Sequence, residues 1–531
     1  MLTKDELFRI GDKERIWRKY CGFLDLSITE FMDIQEQLLM NQIELVYDSP
    51  LARKFMPKKP KDIAEFRSFV PLTTFDDYAA YLDREHEDVL ATKPYLWART
   101  SGKGGTPKQV PYTERAMERV AMSGVAVLIL ACANRKGEVN VGSGTQILHC
   151  MPPPPYLSGI LIGAVPQLLD ARVIPPLDKY EATEFEARIR DGFRIALRTR
   201  VDILSSLTTV LVKMGKVFSE SSGHMKFSRH MLHPQVALHL IGAWLRAKRQ
   251  SRTLLPKDLW PLKGLACYGT DTSIYREQLI HYWGKEPLEL YGTTEAGIMA
   301  INAWNKKSMT FFPFACFLEF APEEEWVKSR ENKDYQPSTV LLSELRPGER
   351  YEVILTSFYG MPFLRYRIGD LVKIVALEDE EVGIKLPQMV FDGRADDIID
   401  ISGFPKLDEK TMWQAIASSR IEYEDWVARK EYERNQPIVS LYIEPKEQLD
   451  VSEVLRMIEQ QLVANNPDYA DLVSVLGSGP LRVTLLPLGS FRRYYEERQR
   501  EGADLAHLKP PHMNASDTVM QDLVRPGASS T

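Results

Sequence analysis

The chain has 531 residues, 44% hydrophobic and 26% charged, which is ordinary globular material, long enough for about three or four domain-sized units and a large buried core. Lysine and arginine total 67 against 73 aspartate and glutamate, and the net charge of −6 excludes a general attraction to nucleic acid or to an anionic membrane. Cys21, Cys132, Cys150, Cys267 and Cys316 are far apart, odd in number and never in a Cys-x-x-Cys pair, so they read as reduced thiols of a cytoplasmic protein.

The N-terminus, Met1 to Arg9, is charged and amphipathic, with no apolar stretch before a small-residue cleavage site, and reads as carrying no export signal. Residues from about 5 to 100 predict a helical lead-in, with Phe31, Ile34, Leu38 and Leu39 at helical spacing. After a Gly-rich loop, Thr113–Cys132 predicts a helix. Its greasy end, Ala121–Ala133, is shorter than the roughly 20 apolar residues that span a bilayer and reads as a buried helix. Gly137–His149 supplies a strand-like run ending at Ile147-Leu148-His149, followed by a rigid proline turn from Met151 to Gly159. Helices over Thr183–Thr199 and Pro234–Arg249, with strands Leu265–Tyr268 and Leu288–Tyr291, continue an alternation that argues an α/β fold. A strand-rich stretch runs from Tyr351 to Val375.

A charged turn, Asp392 to Asp397, lies between two apolar strands and sets the expected boundary: a large domain over 1–393, its helical lead-in covering about 1–95, and a small α+β domain over 394–531. In the small domain the pattern predicts strand Ile398–Ser402, helix Asp408–Ser418, strand Ile438–Ile443, helix Val451–Val463, strand Leu481–Leu486 and helix Ser490–Glu501. The tail beyond about 512 is expected to be flexible.

Three motifs carry chemistry. The run from Arg99 to Lys108 (Arg-Thr-Ser-Gly-Lys-Gly-Gly-Thr-Pro-Lys) combines glycines that let backbone N–H groups approach an oxyanion, hydroxyls that donate, and lysines that neutralise charge. It lacks P-loop spacing, and by itself it reads equally well as a surface turn. The second, Leu288 to Gly297, runs an apolar strand into Tyr291-Gly292-Thr293-Thr294-Glu295, where Thr294 would donate to a phosphate and Glu295 would hold Mg²⁺. Its bland alternative is a turn that caps a following helix. In the third, Tyr366-Arg367-Ile368-Gly369-Asp370, the carboxylate suits two ribose hydroxyls, the alternative being an Asx turn paired with Arg365 or Arg367. His224, His230, His233 and His239 cluster in sequence, but Pro234 interrupts the helix that would align them and no zinc set is completed. His149 reads either as a border of an acyl pocket with Pro154 and Tyr156 or as a hydrogen-bonded core residue.

The order of these motifs, ending in Gly393-Arg394-Ala395-Asp396-Asp397 before a small final domain, resembles the acyl-adenylate-forming superfamily of acyl-CoA ligases, luciferases and adenylation domains. Within it the chain is similar to the Gretchen Hagen acyl-acid amido synthetases. The resemblance rests on Leu259 to Thr270, on Phe312 to Phe320, and on Gly479-Pro480-Leu481, Gly489-Ser490-Phe491 and Leu508-Lys509-Pro510-Pro511.

The resemblance implies a large ATP-binding domain and a small α+β lid that rotates about a hinge at Asp396. Thr100, Ser101, Gly102 and Lys108 would line the triphosphate, with Gly269, Thr270 and Tyr291 near adenine. Gly292 and Thr293 would lead into Thr294 at the α-phosphate and Glu295 at Mg²⁺, with Asp370 and Arg394 on the ribose and Lys509 at the reacting phosphate and carboxylate. The implied reaction uses ATP and Mg²⁺ to form acyl-AMP from a carboxylic acid and passes the acyl group to an amine, an amino acid by preference. The alternatives are CoA as acceptor, giving a thioester, and a catalytically silent nucleotide-binding protein. Lys103 and Gly104 stand where the superfamily loop offers hydroxyls, and Pro511 stands where the plant enzymes carry arginine.

Overall fold

The computed structural model describes residues 4–100, 108–177, 185–222, 234–269, 272–332, 335–394, 398–401, 405–500 and 512–525. These fall into two compact units, 4–394 and 398–525.

The first unit opens with short helices set off by polar caps. Asp5, Asp12, Ser27, Ser49 and Asp62 each accept a backbone N–H in the first turn of a helix, and Ser27 with Glu30 forms a full capping box. The longest of them, Ile28–Val46, buries Phe31, Leu39 and Ile43, but also two glutamines. Gln35 donates to the carbonyls of Pro313 and Cys316, while Gln42 donates to Met361 O and accepts from Gly360 N, both at 2.8 Å. The lead-in is therefore fastened to the main sheet by satisfied buried amides as well as by apolar packing.

That sheet has eleven strands, in the order Cys316–Pro322, Arg350–Ser357, Tyr366–Ala376, Gln388–Arg394, Met309–Phe311, Gly297–Asn302, Pro287–Thr293, Gly264–Tyr268, Ile203–Leu207, Gln146–Cys150 and Arg172–Ile174. The last five run parallel and the rest pair antiparallel, so the α/β expectation describes one half and a meander the other. Helix Glu114–Cys132, capped by Thr113, packs along the sheet with a continuous buried run from Ser123 to Cys132. No helix among the described residues is long and apolar enough to cross a membrane.

Several elements differ from the sequence pattern. Residues 137–145 form no strand, and regular pairing begins only at Gln146. The proline turn leads directly into a helix, Leu157–Leu169, that tolerates Pro166 in its interior. The helix expected over Thr183–Thr199 spans Phe185–Ala196, whereas the one expected over Pro234–Arg249 has those bounds.

In the second unit, strand Tyr423–Glu433 pairs antiparallel with Gln436–Pro445, which pairs parallel with Leu481–Leu485. The helices Glu409–Ser418, Val451–Asn465, Pro467–Leu476 and Ser490–Arg500 complete its frame. The tail beyond 512, expected to be flexible, carries instead the helix Asp517–Val524. Ser516 caps it, and Met520 and Leu523 are buried with Val427, Phe491 and Tyr494. The apolar pair pays the ordering entropy that composition alone suggested would win.

His512 anchors the start of this tail. Its Nδ1 lies 2.6 Å from Glu409 and its Nε2 2.8 Å from Asp425, and the ring stacks on Trp426 at 4.5 Å. Burial opposes its charge, but hydrogen bonds to Asp425 and Glu409 and their charges prevail and raise its pKa above the ordinary 6.5. A raised folded-state value means stabilisation that is fully present below about pH 6.5 and lost as pH rises through the folded value. The stability gap between the native chain and His512→Gln should therefore narrow with rising pH in urea titrations; a gap that is constant across that range contradicts the assignment.

A second prediction concerns how close the sheet lies to its helix. A Cβ on Gly264 would sit 2.7 Å from Cys132 Sγ and 2.8 Å from the Ala131 backbone. Gly264→Ala should cost about 1–3 kcal/mol by denaturant unfolding, because helix and strand must part to admit the methyl group.

Candidate active site

Strand Pro287–Thr293 and strand Gly297–Asn302 form a hairpin whose turn carries Thr294 and Glu295. Two glycines make the turn fit. A Cβ on Gly292 would meet Gly297 O at 2.6 Å, while Gly297 has φ +75° and would drive a Cβ into Val120 of the buried helix at 2.4 Å. A strand follows Glu295 rather than a helix, so the capping alternative does not apply.

Glu295 is 5% exposed. Its Oε1 accepts from the Tyr366 hydroxyl at 3.2 Å, and its backbone carbonyl accepts from Ser357 Oγ at 2.8 Å. Lys108 Nζ donates to the same Tyr366 oxygen at 3.0 Å and stands 4.0 Å from Glu295 Oε1, over the Phe75 ring at 4.5 Å. Lys108, Tyr366 and Glu295 thus form a chain of donors ending on a carboxylate. Burial, then the charge and hydrogen bond of Glu295, hold the Tyr366 hydroxyl pKa well above its usual range, so it stays a donor. Beside this chain, the Tyr112 hydroxyl donates to Thr294 O at 2.6 Å and fixes the turn.

Asp370 lies within strand Tyr366–Ala376, directly opposite Arg394 on strand Gln388–Arg394. Arg394 donates to Asp370 Oδ1 at 2.6 Å and to Ile368 O at 2.9 Å, and the Tyr291 hydroxyl donates to Asp370 Oδ2 at 3.0 Å. The Asx-turn alternative does not hold. Arg365 forks onto Glu319 at 2.9 and 3.0 Å, and Arg367 onto Glu352 at 2.6 and 3.0 Å.

Thr100 sits at the neck of the Gly-rich loop, its N–H donating to Lys108 O at 3.0 Å where the strands Leu96–Arg99 and Gln109–Tyr112 diverge. Gly269 follows the C-terminal end of strand Gly264–Tyr268 with φ +129°. Ser101, Gly102, Lys103, Gly104, Thr270, Asp396, Lys509 and Pro511 lie outside the described residues, as do His224, His230 and His233. The structure thus holds Tyr291, Gly292, Thr293, Asp370 and Arg394 on strands of the main sheet and Thr294 and Glu295 in the hairpin turn, while Lys108, just before strand Gln109–Tyr112 of the two-stranded sheet, reaches Tyr366 through its side chain.

Pattern reading gave no role to Tyr366, Tyr112, Ser357 or Arg99. The Nε of Arg99 is buried with no hydrogen-bond partner among the described residues, and its guanidinium lies 5.7 Å from the Tyr156 ring centroid. Tyr366 and Arg99 stand inside motifs quoted for other residues, and that proximity was the available signal. His149 is buried, with Nδ1 3.0 Å from Ser205 O, and burial lowers its pKa to about 4, which matches the core alternative.

The chain matches the GH3 family N-terminal domain over residues 22–171, the central domain over 309–394 and the C-terminal domain over 409–518. It belongs to the GH3 family. It is 25% identical over 300 residues to the indole-3-acetic acid-amido synthetase GH3.10 of Arabidopsis thaliana, a match covering 51% of this chain and 48% of that protein. It is 36% identical over 107 residues to the jasmonoyl–L-amino acid synthetase JAR4 of Nicotiana attenuata, covering 19% of this chain and 17% of that one. The chain thus spans half or less of the length of these curated relatives.

Among solved structures, the fold is similar to the AtGH3.15 acyl acid amido synthetase, with TM-score 0.54, 18% identity and 95% of each chain covered. It is also similar to 2-hydroxyisobutyryl-CoA ligase, with TM-score 0.57, 13% identity and 88% of each chain covered. The chain therefore shares its fold with both of these ligases.

The Asp370–Arg394 pair yields a prediction for this GH3 member. Both side chains are 9% exposed, so Asp370→Asn removes the negative half of a buried ion pair and should cost about 3 kcal/mol in urea unfolding. Tyr291→Phe, which removes one hydroxyl donor, should cost about 1 kcal/mol.

Proposed function

We propose that the chain is an ATP-dependent ligase that activates a carboxylic acid as acyl-AMP and transfers the acyl group to an amine, an amino acid, to form an amide. The observation that carries this reading is the buried Lys108–Tyr366–Glu295 chain beside Asp370 and Arg394, in a polypeptide matched by the N-terminal, central and C-terminal GH3 domains. The relatives named above as amido synthetases favour an amine over CoA.

The residues fit the reactants. The unpartnered Nε of Arg99, immediately before the Gly-rich loop, lacks an acceptor that an anionic ligand supplies. No group of three or more His, Cys, Asp or Glu side chains among the described residues could hold a metal ion, but Mg²⁺ is commonly bound by one or two carboxylates together with substrate phosphates and water. Glu295 would hold it, and the ion would draw charge from the phosphate oxygens. Lys108 and the loop residues Thr100, Ser101 and Gly102 would receive the triphosphate. Asp370 and Arg394 would orient the ribose, and Gly269, Thr270 and Tyr291 would border the adenine.

In the first step a carboxylate oxygen bonds to the α-phosphorus as the bond to pyrophosphate breaks. In the second the amine nitrogen bonds to the acyl carbon, loses a proton and expels AMP. Lys509 would stabilise charge on the reacting oxygens in the first step, a task suited to a point charge on a flexible stem. Five free, buried cysteines suit a reducing, cytoplasmic setting.

The test is ATP–pyrophosphate exchange across a panel of carboxylic acids, followed by product analysis with amino acids and with CoA. Acid-dependent exchange and an amide product are expected, and Glu295→Gln and Lys509→Ala should each lower turnover on the order of 10²-fold without a matching loss of fold. Exchange with no acid in the panel rejects the reading; a thioester with CoA and no amide moves it to the acyl-CoA ligase alternative.

A further inference from the structure

Side chains along the ribbon of strands Leu96–Arg99 and Gln109–Tyr112 alternate between two faces. Tyr112 and, four residues before it, Lys108 take the face of the hairpin turn, where they reach Thr294 O and the Tyr366 hydroxyl. Arg99 is paired with Gln109, so both of these side chains take the other face. There the Arg99 guanidinium lies 5.7 Å from the centroid of the Tyr156 ring. The backbone fixes this meeting, since Arg99 N–H donates to Pro155 O at 2.9 Å and Arg99 forms an isolated parallel bridge with Tyr156.

Arg99 is a cation held in place without a counter-group. Its side chain makes no hydrogen bond or ion pair among the described residues, although its Nε is buried. Arg365, Arg367 and Arg394, by contrast, each donate to a carboxylate. Gln109, opposite Arg99, likewise makes no side-chain hydrogen bond among the described residues. Helix Leu157–Leu169 starts beside them with no side-chain cap at Tyr156, which adds the positive end of a helix dipole. A buried guanidinium nitrogen without an acceptor is unfavourable, and an oxyanion that accepts from it relieves that cost. A planar fork resting near an aromatic ring matches a carboxylate in particular.

The two faces of the ribbon decide which oxyanion this is. In the proposed reaction the activated carboxylate lies at the α-phosphate, on the side of Thr294 and Glu295, and the triphosphate follows Lys108 on that same side. The oxyanion left over is the carboxylate of the amino acid acceptor, which stays ionised through both steps. We propose that Arg99 determines acceptor specificity: its guanidinium, with the Gln109 amide beside it, binds the α-carboxylate of the acceptor and so selects an amino acid over an amine that lacks one. The assignment rests on the amide-forming reading above and adds to it the group that recognises the acceptor.

The test separates the two half-reactions in the native chain and in Arg99→Gln, using each acid of the panel that supports ATP–pyrophosphate exchange. Exchange needs no acceptor, and the variant should keep the native KM for ATP, pyrophosphate and acid within about twofold. In amide formation its KM for amino acids should rise on the order of 10- to 100-fold, and Arg99→Lys, which keeps the charge but not the fork, should recover part of the loss. Amino acid α-amides, which keep the amine and lose the carboxylate, should be poor acceptors for the native chain and equally poor for the variant. Because Arg99 leaves no partner behind, Arg99→Gln should unfold at the native urea midpoint; Arg99→Lys covers the case in which it does not. The proposal is overturned if the variant raises the KM for ATP or pyrophosphate, which assigns Arg99 to the phosphates, if it raises the KM for the acid, or if amino acids and their α-amides are affected alike. Exchange without any amide product also overturns it while leaving adenylation standing, whereas a native chain that shows no exchange with any acid rejects the ligase reading and this assignment together.

Discussion

The site depends on the meeting of strand Pro287–Thr293 with strand Tyr366–Ala376. Three strands separate them in the order of the sheet, so the antiparallel half must curl for Tyr291 to reach Asp370 and for Tyr366 to reach Glu295. That curl places two carboxylates in a region largely closed to water, where each must be answered by a donor or a cation. Asp370 has Arg394 and Tyr291. Glu295 has a tyrosine hydroxyl and a lysine no nearer than 4.0 Å.

The contrast with neighbouring ion pairs separates scaffold from site. Arg365, buried among the same strands, spends its donors on both oxygens of Glu319 and on the carbonyls of Arg67 and Val70, tying the lead-in to the sheet. Arg367 and Glu352 form a second bidentate pair. These groups have nothing left to offer a ligand. Glu295 is less completely neutralised, and Arg99 keeps a buried Nε with no acceptor among the described residues, so the unmet electrostatics gather at the hairpin turn and at the neck of the Gly-rich loop. A site for phosphates and a cation requires this incompleteness.

The same logic governs what was legible in the sequence. Chemistry-bearing residues at turns, such as Thr294, Glu295 and Lys108, could be singled out because glycines and hydroxyls beside them have few other uses. The partner of Asp370 could not. Arg365 and Arg367 were the cations adjacent in sequence, whereas the true partner is set by the register that places Asp370 opposite Arg394. Helix Leu157–Leu169 was hidden by the prolines around its start and inside it, although Pro166 is buried and tolerated. Strand Tyr423–Glu433 carries charges along its outer half and alternates poorly, so only its pairing with Gln436–Pro445 reveals it. The terminal helix was missed because two buried side chains, Met520 and Leu523, are a small signal in a polar tail. In each case the deciding interaction is one between strands or layers, which local pattern does not contain.

Two tyrosines supply the site with hydroxyl donors that resist deprotonation. Tyr291 and Tyr366 are each pushed well above the usual phenol range, first by burial and then by the carboxylate each one faces. Deprotonation would place a second negative charge against Asp370 or Glu295 in a largely buried region, which favours the protonated, donating form of both hydroxyls. Serine or threonine hydroxyls would also remain protonated, but they are too short to reach across the curled sheet. A lysine or histidine there would alter the charge that the carboxylates present to a ligand. The long, neutral phenol is the side chain that spans the gap, fixes each carboxylate in place and leaves its charge in force.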